Sequence, residues 1–597
     1  MSITRFELTI HLTTTSPLHS GGVDAMVDPT REGLDREVVA TRFARDAHER
    51  PILTGRSVKG AVRAACARYL ESNPEFDVAA ALKNAQASLW GDRGKKSPSG
   101  TPLRASALTF HTVEIPQTAL VGSEPDESSN IERRETGSGD QSRRPALPRR
   151  VGIAMNRYWG AVGDGALFEH EFVPGGTELT LVITAEGVDG ETTEKHARST
   201  SKADNAPGGD TTAAAAPRPA TAAEVKALLK LIVGLFQAGR VFFGGRQGAG
   251  WGRVELDEKN PAEFRELTLS NRADLKALLI PTDCDSSSSG TRLTPTDCGS
   301  SAGTRITIIW NSPAGILVAD PGLSQQDKAK RKKEREAALA EGRDVDDEPV
   351  PTVSLRADGT DDGPLVLPGS SVRGALRSRA SRIARTVLVG ALGHELDDWS
   401  KSGVGVHDQL AADPTLVRDL FGTTERRGAL SVLDTLASSS GTPRTVTHNA
   451  GDRWTGGVAE GALYSEEVRD VAWNAITLEL DPNRLPADDS RRRAAWCLLG
   501  LVLAELATGT LPLGSRGTRG LGQVEVKGIT VTGLEWLGLP DGGTKSFTAG
   551  AGRSGRDVAE ALLGHLKAVN TMITPNAGSD AAGWSSYLID VEEKRNG

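Results

Sequence analysis

Apolar and polar residues alternate through Phe6, Leu8, Ile10 and Leu12, the period of a half-buried strand, and the alternation returns at Ile306, Ile308 and Trp310. Both runs end in Ser-Pro, at Ser16-Pro17 and Ser312-Pro313. A helical period follows each, from Ser57 to about Leu70 and from Ser371 to about Val389, behind small residues able to cap a first turn. A second helix is predicted over about 222–238 in the first half and 491–508 in the second, and each leads through a glycine-rich loop into a last short strand. The order β-α-β-β-α-β occurs twice, which predicts an α+β chain of two tandem ferredoxin-like (RRM-like) domains.

The two halves align through matched landmarks. Gly244-Gly-Arg-Gln-Gly-Ala-Gly-Trp-Gly-Arg-Val-Glu255 matches Gly514-Ser-Arg-Gly-Thr-Arg-Gly-Leu-Gly-Gln-Val-Glu525, which puts Arg246 in register with Arg516. Thr54-Gly-Arg-Ser-Val-Lys-Gly60 matches Pro368-Gly-Ser-Ser-Val-Arg-Gly374, and Leu89-Trp-Gly91 matches Leu420-Phe-Gly422. Asn156-Arg-Tyr-Trp-Gly160 and Gly165-Ala-Leu-Phe168 match Asp452-Arg-Trp-Thr-Gly456 and Gly461-Ala-Leu-Tyr464, pairing Arg157 with Arg453. The expected division is a first repeat over 1–256, a Ser-rich linker over 257–303, a second repeat over 304–537 and an appendage over 538–597. Insertions fall at about 116–150 (polar and thumb-like), 187–221 (Ala/Thr/Pro/Gly-rich and read as disordered) and 322–348 (charged).

Length changes this picture little, since 597 residues suit two main domains. The formal charge of −8 argues against a nucleic-acid binder only as a whole-chain sum, because acidic insertions can mask a basic groove. The four cysteines are scattered without a C-x-x-C, against a disulfide framework or zinc knuckle. No signal peptide and no membrane-length apolar run is evident, so a soluble cytoplasmic protein is expected.

The basic and glycine-rich elements point to a polyanion. Glycines let backbone amides approach a ligand, and Arg246, Arg516 and Arg519 add charge. On the first helix of each half, Lys59 with Arg63 and Arg373 with Arg377 lie at i and i+4, near an N-terminus whose free amides favour phosphate. A Walker loop needs a terminal Lys-Ser/Thr, and a dinucleotide loop opens a helix. These loops open a strand, which excludes both. The basic stretch Arg143–Arg150 reads equally as a solvated loop or an RNA contact, and Lys328–Arg335 as a solvated helix.

These segments together resemble the RAMP superfamily, and within it the backbone subunits of type III CRISPR effector complexes, the seventh Cas family, in a tandem type III-D-like fusion. The resemblance covers both repeats and leaves the insertions and appendage aside. It implies a protein of antiviral defence that binds guide RNA (crRNA), pairs it with complementary target RNA, and assembles with further backbone subunits, a polymerase-cyclase-like large subunit and a guide-end cap subunit. The implied RNA-contacting residues are His19, Arg56, Ser57, Lys59, Arg63, Arg157, Gly245, Arg246, Gly248 and Gly250 in the first repeat. In the second they are Ser370, Ser371, Arg373, Arg377, Arg453, Arg516, Arg519 and Gly520. His19, in the place of a His-x-Gly-Gly turn without a counterpart in the second repeat, is read as structural or RNA-contacting. Family members that cut target RNA use an aspartate after the first strand. Asp35, in Asp35-Arg-Glu-Val-Val39, fits that pattern against Asp24, Asp28 and Asp46. Counting back equally from Asp46 and Asp358 gives Asp35 and Asp347, with Asp320, Asp344 and Asp346 as competitors. Such a carboxylate would hold Mg2+ or Mn2+ or orient the attacking hydroxyl, and the alternative for each is a loop cap. A scaffold without catalysis and a guide-processing endonuclease remain the other readings; the second needs a general acid/base histidine, and no histidine is paired between the repeats.

Overall fold

The computed structural model describes residues 3–27, 39–91, 105–120, 122–125, 143–157, 161–188, 219–257, 260, 262–271, 274, 293–298, 303–320, 351–360, 363–392, 404–439, 441–452, 454–455, 457–539, 543–548, 554–574 and 582–596. The chain is a mixed α+β protein whose described residues form several sheets.

The first half is built on β1 (Ile3–Thr14), β2 (Leu108–Phe110), β3 (Glu178–Val188) and β4 (Val254–Leu256), in the sheet order β4-β1-β3-β2, all antiparallel. Helix α1 (Gly55–Ser72) lies between β1 and β2 in the chain, and α2 (Ala222–Gln237) between β3 and β4. Burial alternates without a break along β1. Phe6, Leu8, Ile10 and Leu12 face a core that also takes Val58, Val62 and Leu70 of α1 and Leu228, Leu231 and Phe236 of α2. Each such side chain contributes ~1.5–3 kcal/mol on full burial. Thr221 and Glu224 form a reciprocal capping box that starts α2, and Thr54 caps α1 by accepting from Ser57 N at 3.3 Å.

The second half repeats the plan. β6 (Thr304–Asn311), β7 (Leu430–Val432), β8 (Ile476–Leu480) and β9 (Glu525–Thr532) lie in the order β7-β8-β6-β9, with α3 (Gly369–Leu392) and α4 (Asp489–Ala507) in the two crossovers. Its core is separate from the first.

Two segments differ from the sequence expectation. The stretch expected as a linker supplies β5 (Glu263–Thr268), which pairs along β1, and Leu293 and Cys298, which are buried in the first core against α2. The segment expected as an appendage supplies β10 (Lys545–Thr548), paired to β9, and the helices α5 (Gly555–Thr571) and α6 (Trp584–Asn596). Leu562, Leu566, Val569 and Leu588 belong to the second core, so these helices complete it. Their apolar faces are separated from β6 by the whole repeat, which is why periodicity alone leaves them unassigned. Of the stretch 187–221, expected as disordered, Gly187 and Val188 end β3, Ala220 is buried in the first core and Thr221 caps α2, while 189–218 and the charged insertion lie outside the described residues. No helix among the described residues is long and apolar enough to cross a membrane.

Each half also carries a smaller sheet built around a hairpin: Arg149–Asn156 with Ala161–Glu171, and Pro443–Gly451 with Val458–Arg469. The first glycine loop docks on the second half. Gly250, at φ +80°, lies so close that a Cβ there would sit 2.7 Å from Leu433 Cα and 2.8 Å from Val432 O. Asp434 ties the junction by accepting from Gly369 N at 2.8 Å, at the start of α3, and from Arg150 Nη1 at 2.5 Å.

Candidate nucleic-acid interface

The two glycine loops share one backbone. Arg246 and Arg516 both adopt the left-handed conformation, at φ 56° and 61°, and each is followed by a single 3-10 turn, Gln247–Ala249 or Gly517–Arg519. A left-handed non-glycine residue costs on the order of 1 kcal/mol, and a cost paid twice at matched positions marks a selected geometry. Both turns close on a left-handed glycine, Gly250 or Gly520. In the second loop no acceptor is found among the described residues for the amides of Gly517 and Thr518, which makes them available to an anion.

The side chains around the loops differ. The Arg246 guanidinium lies over Phe168 at 4.9 Å and Trp251 at 5.3 Å. Burial, then repulsion from Arg150, pushes its pKa down to about 10, against a smaller opposing pull from Asp434. Arg516 lies over Tyr464, the counterpart of Phe168, but pairs with the Glu466 carboxylate. Glu466 occupies the position that His170 holds in the first half. Burial, and behind it the charge of Arg246, pushes His170 down to about 3, so that ring is neutral at physiological pH. Arg519 covers the other loop's aromatic, 4.9 Å from the Tyr464 ring and donating to its hydroxyl at 2.6 Å.

The first helices diverge further. Arg56 and Ser57 are exposed at the start of α1, and Lys59 is half-buried with no ion-pair partner among the described residues. Burial and then the neighbouring Arg63 lower the Lys59 pKa, a shift that a phosphate would reverse. At the start of α3, Ser370 and Ser371 are exposed, but the arginines turn inward. Arg373 donates to Phe421 O, stacks 5.7 Å from the Phe421 ring and lies against Gly248 of the first loop. Burial, then Arg377, pushes it down to about 10. Arg377 and Arg157 converge on the fully buried Asp413, at 2.7 and 2.6 Å.

Four residues expected on the RNA surface are thus engaged inside the protein. Arg157 reaches across to Asp413 of the second half, where Arg377 of that half also binds, and Arg373 sits between Phe421 of its own half and Gly248 of the first loop. His19 is buried, with Nδ1 2.7 Å from Glu171 O, and burial lowers its pKa; it fixes the turn beneath Gly245, whose amide donates to His19 O at 2.8 Å. Of the loop positions, Gly245 and Gly520 are exposed, Gly248 half-buried and Gly250 buried.

Asp35, Asp347, Asp28, Asp344, Asp346 and Arg453 lie outside the described residues, as does the side chain of Asp24. Asp46 is a turn cap, accepting from His48 N at 2.8 Å and Arg50 N at 2.9 Å, and Asp358 caps another turn through Thr360 N at 3.0 Å. These two caps are not equivalent. Ala44 N donates to Ser20 O and Leu355 N to Val318 O, and Arg45 bridges Pro51 as Arg356 bridges Leu365. Asp46 therefore matches Ala357, and the same count back from this register ends at Asp346 instead of Asp347. Among the described residues no group of three or more His, Cys, Asp or Glu is arranged to hold a metal ion.

Two features escape the sequence reading. Arg150, at the end of the stretch read as solvated or RNA-contacting, is buried between Phe172 and Trp251, 5.0 and 5.2 Å from their rings. The hairpin of the second half ends in exposed apolar side chains, with Trp454 95% exposed and Val458 and Leu463 beside it. Hydrophobic residues in a strand pattern read as core, and only the Asp-Arg-Trp turn ahead of them marks a projecting tip. No curated protein matches the chain. The family model of the RAMP superfamily matches residues 11–255 and again 315–525, one segment for each half, and the chain therefore belongs to the RAMP superfamily.

Proposed function

We infer from RAMP membership that the chain is an RNA-binding subunit of a CRISPR effector. We propose that this chain is a tandem backbone subunit of a type III complex, of the seventh Cas family, that grips guide RNA and cuts the target RNA paired to it. The observation that carries this reading is the twin glycine loop, each with a left-handed arginine stacked on an aromatic ring and the second with open amides. The strand order, with the first strand between the third and fourth and the second at the edge, supports a ferredoxin-like plan for each half. A cradle of amides and guanidinium groups reads phosphate and not base, so sequence selection would come from guide pairing. The exposed Trp454, Val458 and Leu463 suit a wedge against unstacked bases.

For cleavage, Asp35 and its counterpart, Asp347 by sequence offset or Asp346 by backbone register, would position the attacking 2′-hydroxyl or hold a divalent cation. The cation, when bound, neutralises charge on the scissile phosphate. The test is to purify the chain, extract its RNA, and supply a complementary target. A bound RNA of defined length and cuts at fixed spacing are expected, with Asp35→Ala abolishing one cut while guide and target binding persist. Absence of bound RNA would overturn the reading as a whole. Cutting at every position in a variant lacking Asp35, Asp346 and Asp347 would leave a scaffold that lends its surface to another nuclease.

A further inference from the structure

Behind the junction of the two halves lies a cavity of about 340 Å³ that the RNA reading does not use. Six arginines converge on it from both halves: Arg68 on α1, Arg240 after α2, Arg253 at the end of the first loop, Arg305 on β6, Arg427 before β7 and Arg484 after β8. Among the described residues its carboxylates are Glu479 and Asp481, and both are engaged. Glu479 pairs with Arg253 and with Arg305, the latter at 3.0 Å, and Asp481 pairs with Arg484 at 3.2 Å. Arg68 and Arg427 have no ion-pair partner among the described residues. Arg427 donates to Gln247 Oε1 and to Ser431 Oγ at 3.1 Å, and its Nε is buried with no acceptor.

Like charges packed so closely need a reason to stay. Phe242 organises two of them, with the Arg253 and Arg427 guanidinium groups 5.1 and 5.6 Å from its ring, one from each half. Burial, then repulsion from Arg484 and Arg68, pushes Arg427 down to about 9, and Arg68 is lowered by burial and by Arg484. An anion in the cavity would remove that repulsion. Arg68 stands nine residues, or about 14 Å of axial rise, beyond Lys59 on the same helix, away from the open helix start. The volume is that of a small-molecule site, at the low end of the usual range of roughly 300–1,000 Å³.

We propose that the cavity binds a small oligophosphate, either free inorganic pyrophosphate or the phosphate chain of a nucleotide. Guanidinium groups in a fork suit several phosphate oxygens at once, and a surplus of positive groups over carboxylates calls for a multiply charged ligand. This site stands independently of the RNA reading.

The test is calorimetric titration of the full chain, stripped of RNA, with pyrophosphate and separately with ATP at constant ionic strength, with sulfate as the control for weak anion binding. Saturable binding of one molecule per chain is expected, at least tenfold tighter than sulfate. The double variant Arg68→Gln, Arg427→Gln should weaken it at least tenfold, while Lys59→Ala should leave it within twofold. Should the double variant fail to fold, Arg305→Gln removes a half-exposed arginine and should still cost several-fold. ATP binding tenfold tighter than pyrophosphate would identify a nucleotide site, and equal affinity a site for the phosphate chain alone. No saturable binding in the unmutated chain, or unchanged affinity in both the double variant and Arg305→Gln, would overturn the proposal. So would stoichiometric displacement of pyrophosphate by a short RNA, which would assign the cavity to the RNA track.

Discussion

The two halves carry the same loop and the same first helix, yet present them to opposite fates. The first glycine loop and first hairpin each touch the second half, through Gly250 against Leu433 and Arg157 on Asp413, while Gly245 of the loop and Ile153, Met155 and Val162 of the hairpin stay exposed. The second loop, from Gly517 to Gly520, is exposed, and the tip of the second hairpin ends in the exposed Trp454. At the helix starts the pattern reverses: Lys59 is open and Arg373 is enclosed. A repeat laid head to tail spends one loop and one helix face on its own junction, and what stays available is the second loop with the first helix. Equivalent residues therefore do different work.

The largest expected effect concerns the junction. Asp413→Ala strands Arg157 and Arg377 in the interior and should cost about 3–5 kcal/mol in denaturant unfolding, as loss of one partner in a buried ion pair does. Glu466→Ala, which releases Arg516 at the open loop, should cost roughly 1 kcal/mol, because that guanidinium can turn to water. Equal losses would erase the distinction between the closed and open edges.

Next comes a pair of glycines with the same backbone sign. Gly520→Ala meets only the left-handed strain, about 1 kcal/mol, since nothing lies within 4 Å of its Cβ. Gly250→Ala adds a collision with the Leu433 backbone and should lose at least ~2 kcal/mol more than Gly520→Ala, read from paired unfolding curves.

Acid should loosen the junction through Asp413. Burial raises the pKa of Asp413, but Arg157 and then Arg377 outweigh it and hold the carboxyl below its ordinary value of 3.8. A carboxylate lowered on folding stabilises the folded state above the unfolded pKa, about 3.9, and that contribution is lost as pH falls through the folded value. Stability measured from pH 6 downward should fall below about pH 4, and this acid limb should be shallower in Asp413→Asn.

The smallest effect sharpens the contrast between helix starts. Lys59→Ala should reduce the slope of log affinity against log salt for single-stranded RNA by about 0.7, the loss of one phosphate contact. Arg373→Ala should leave the slope unchanged, since its guanidinium already serves Phe421 O. A matched drop in both would mean that RNA binding opens the junction.

Sequence discloses the parts that depend on near neighbours. The alternation at Phe6–Leu12, the capped helices and the twin loops all follow from local period and from glycine's tolerance of left-handed backbone, and the family match spans both halves. The enclosure of Arg157 does not, because its partner Asp413 lies 256 positions away. Nor does the register of the aspartates, since Asp46 and Asp358 look alike as turn caps and only the bridges at Arg45 and Arg356 separate them. The exposure of Trp454 does not follow from local period either, because it depends on the hairpin projecting.

The composition of the two cores also sets a timetable for synthesis. The first core is complete once Cys298 has joined it, whereas the second runs from Ile306 to Leu588. Domains fold in order as they leave the ribosome, at about 5–20 residues per second, so on the order of tens of seconds separate the two closures. Through that interval the first loop, with Trp251 in it, stands finished and uncovered. The second half is then laid down on a surface that already exists, and its sheet inherits its place from a neighbour that is folded.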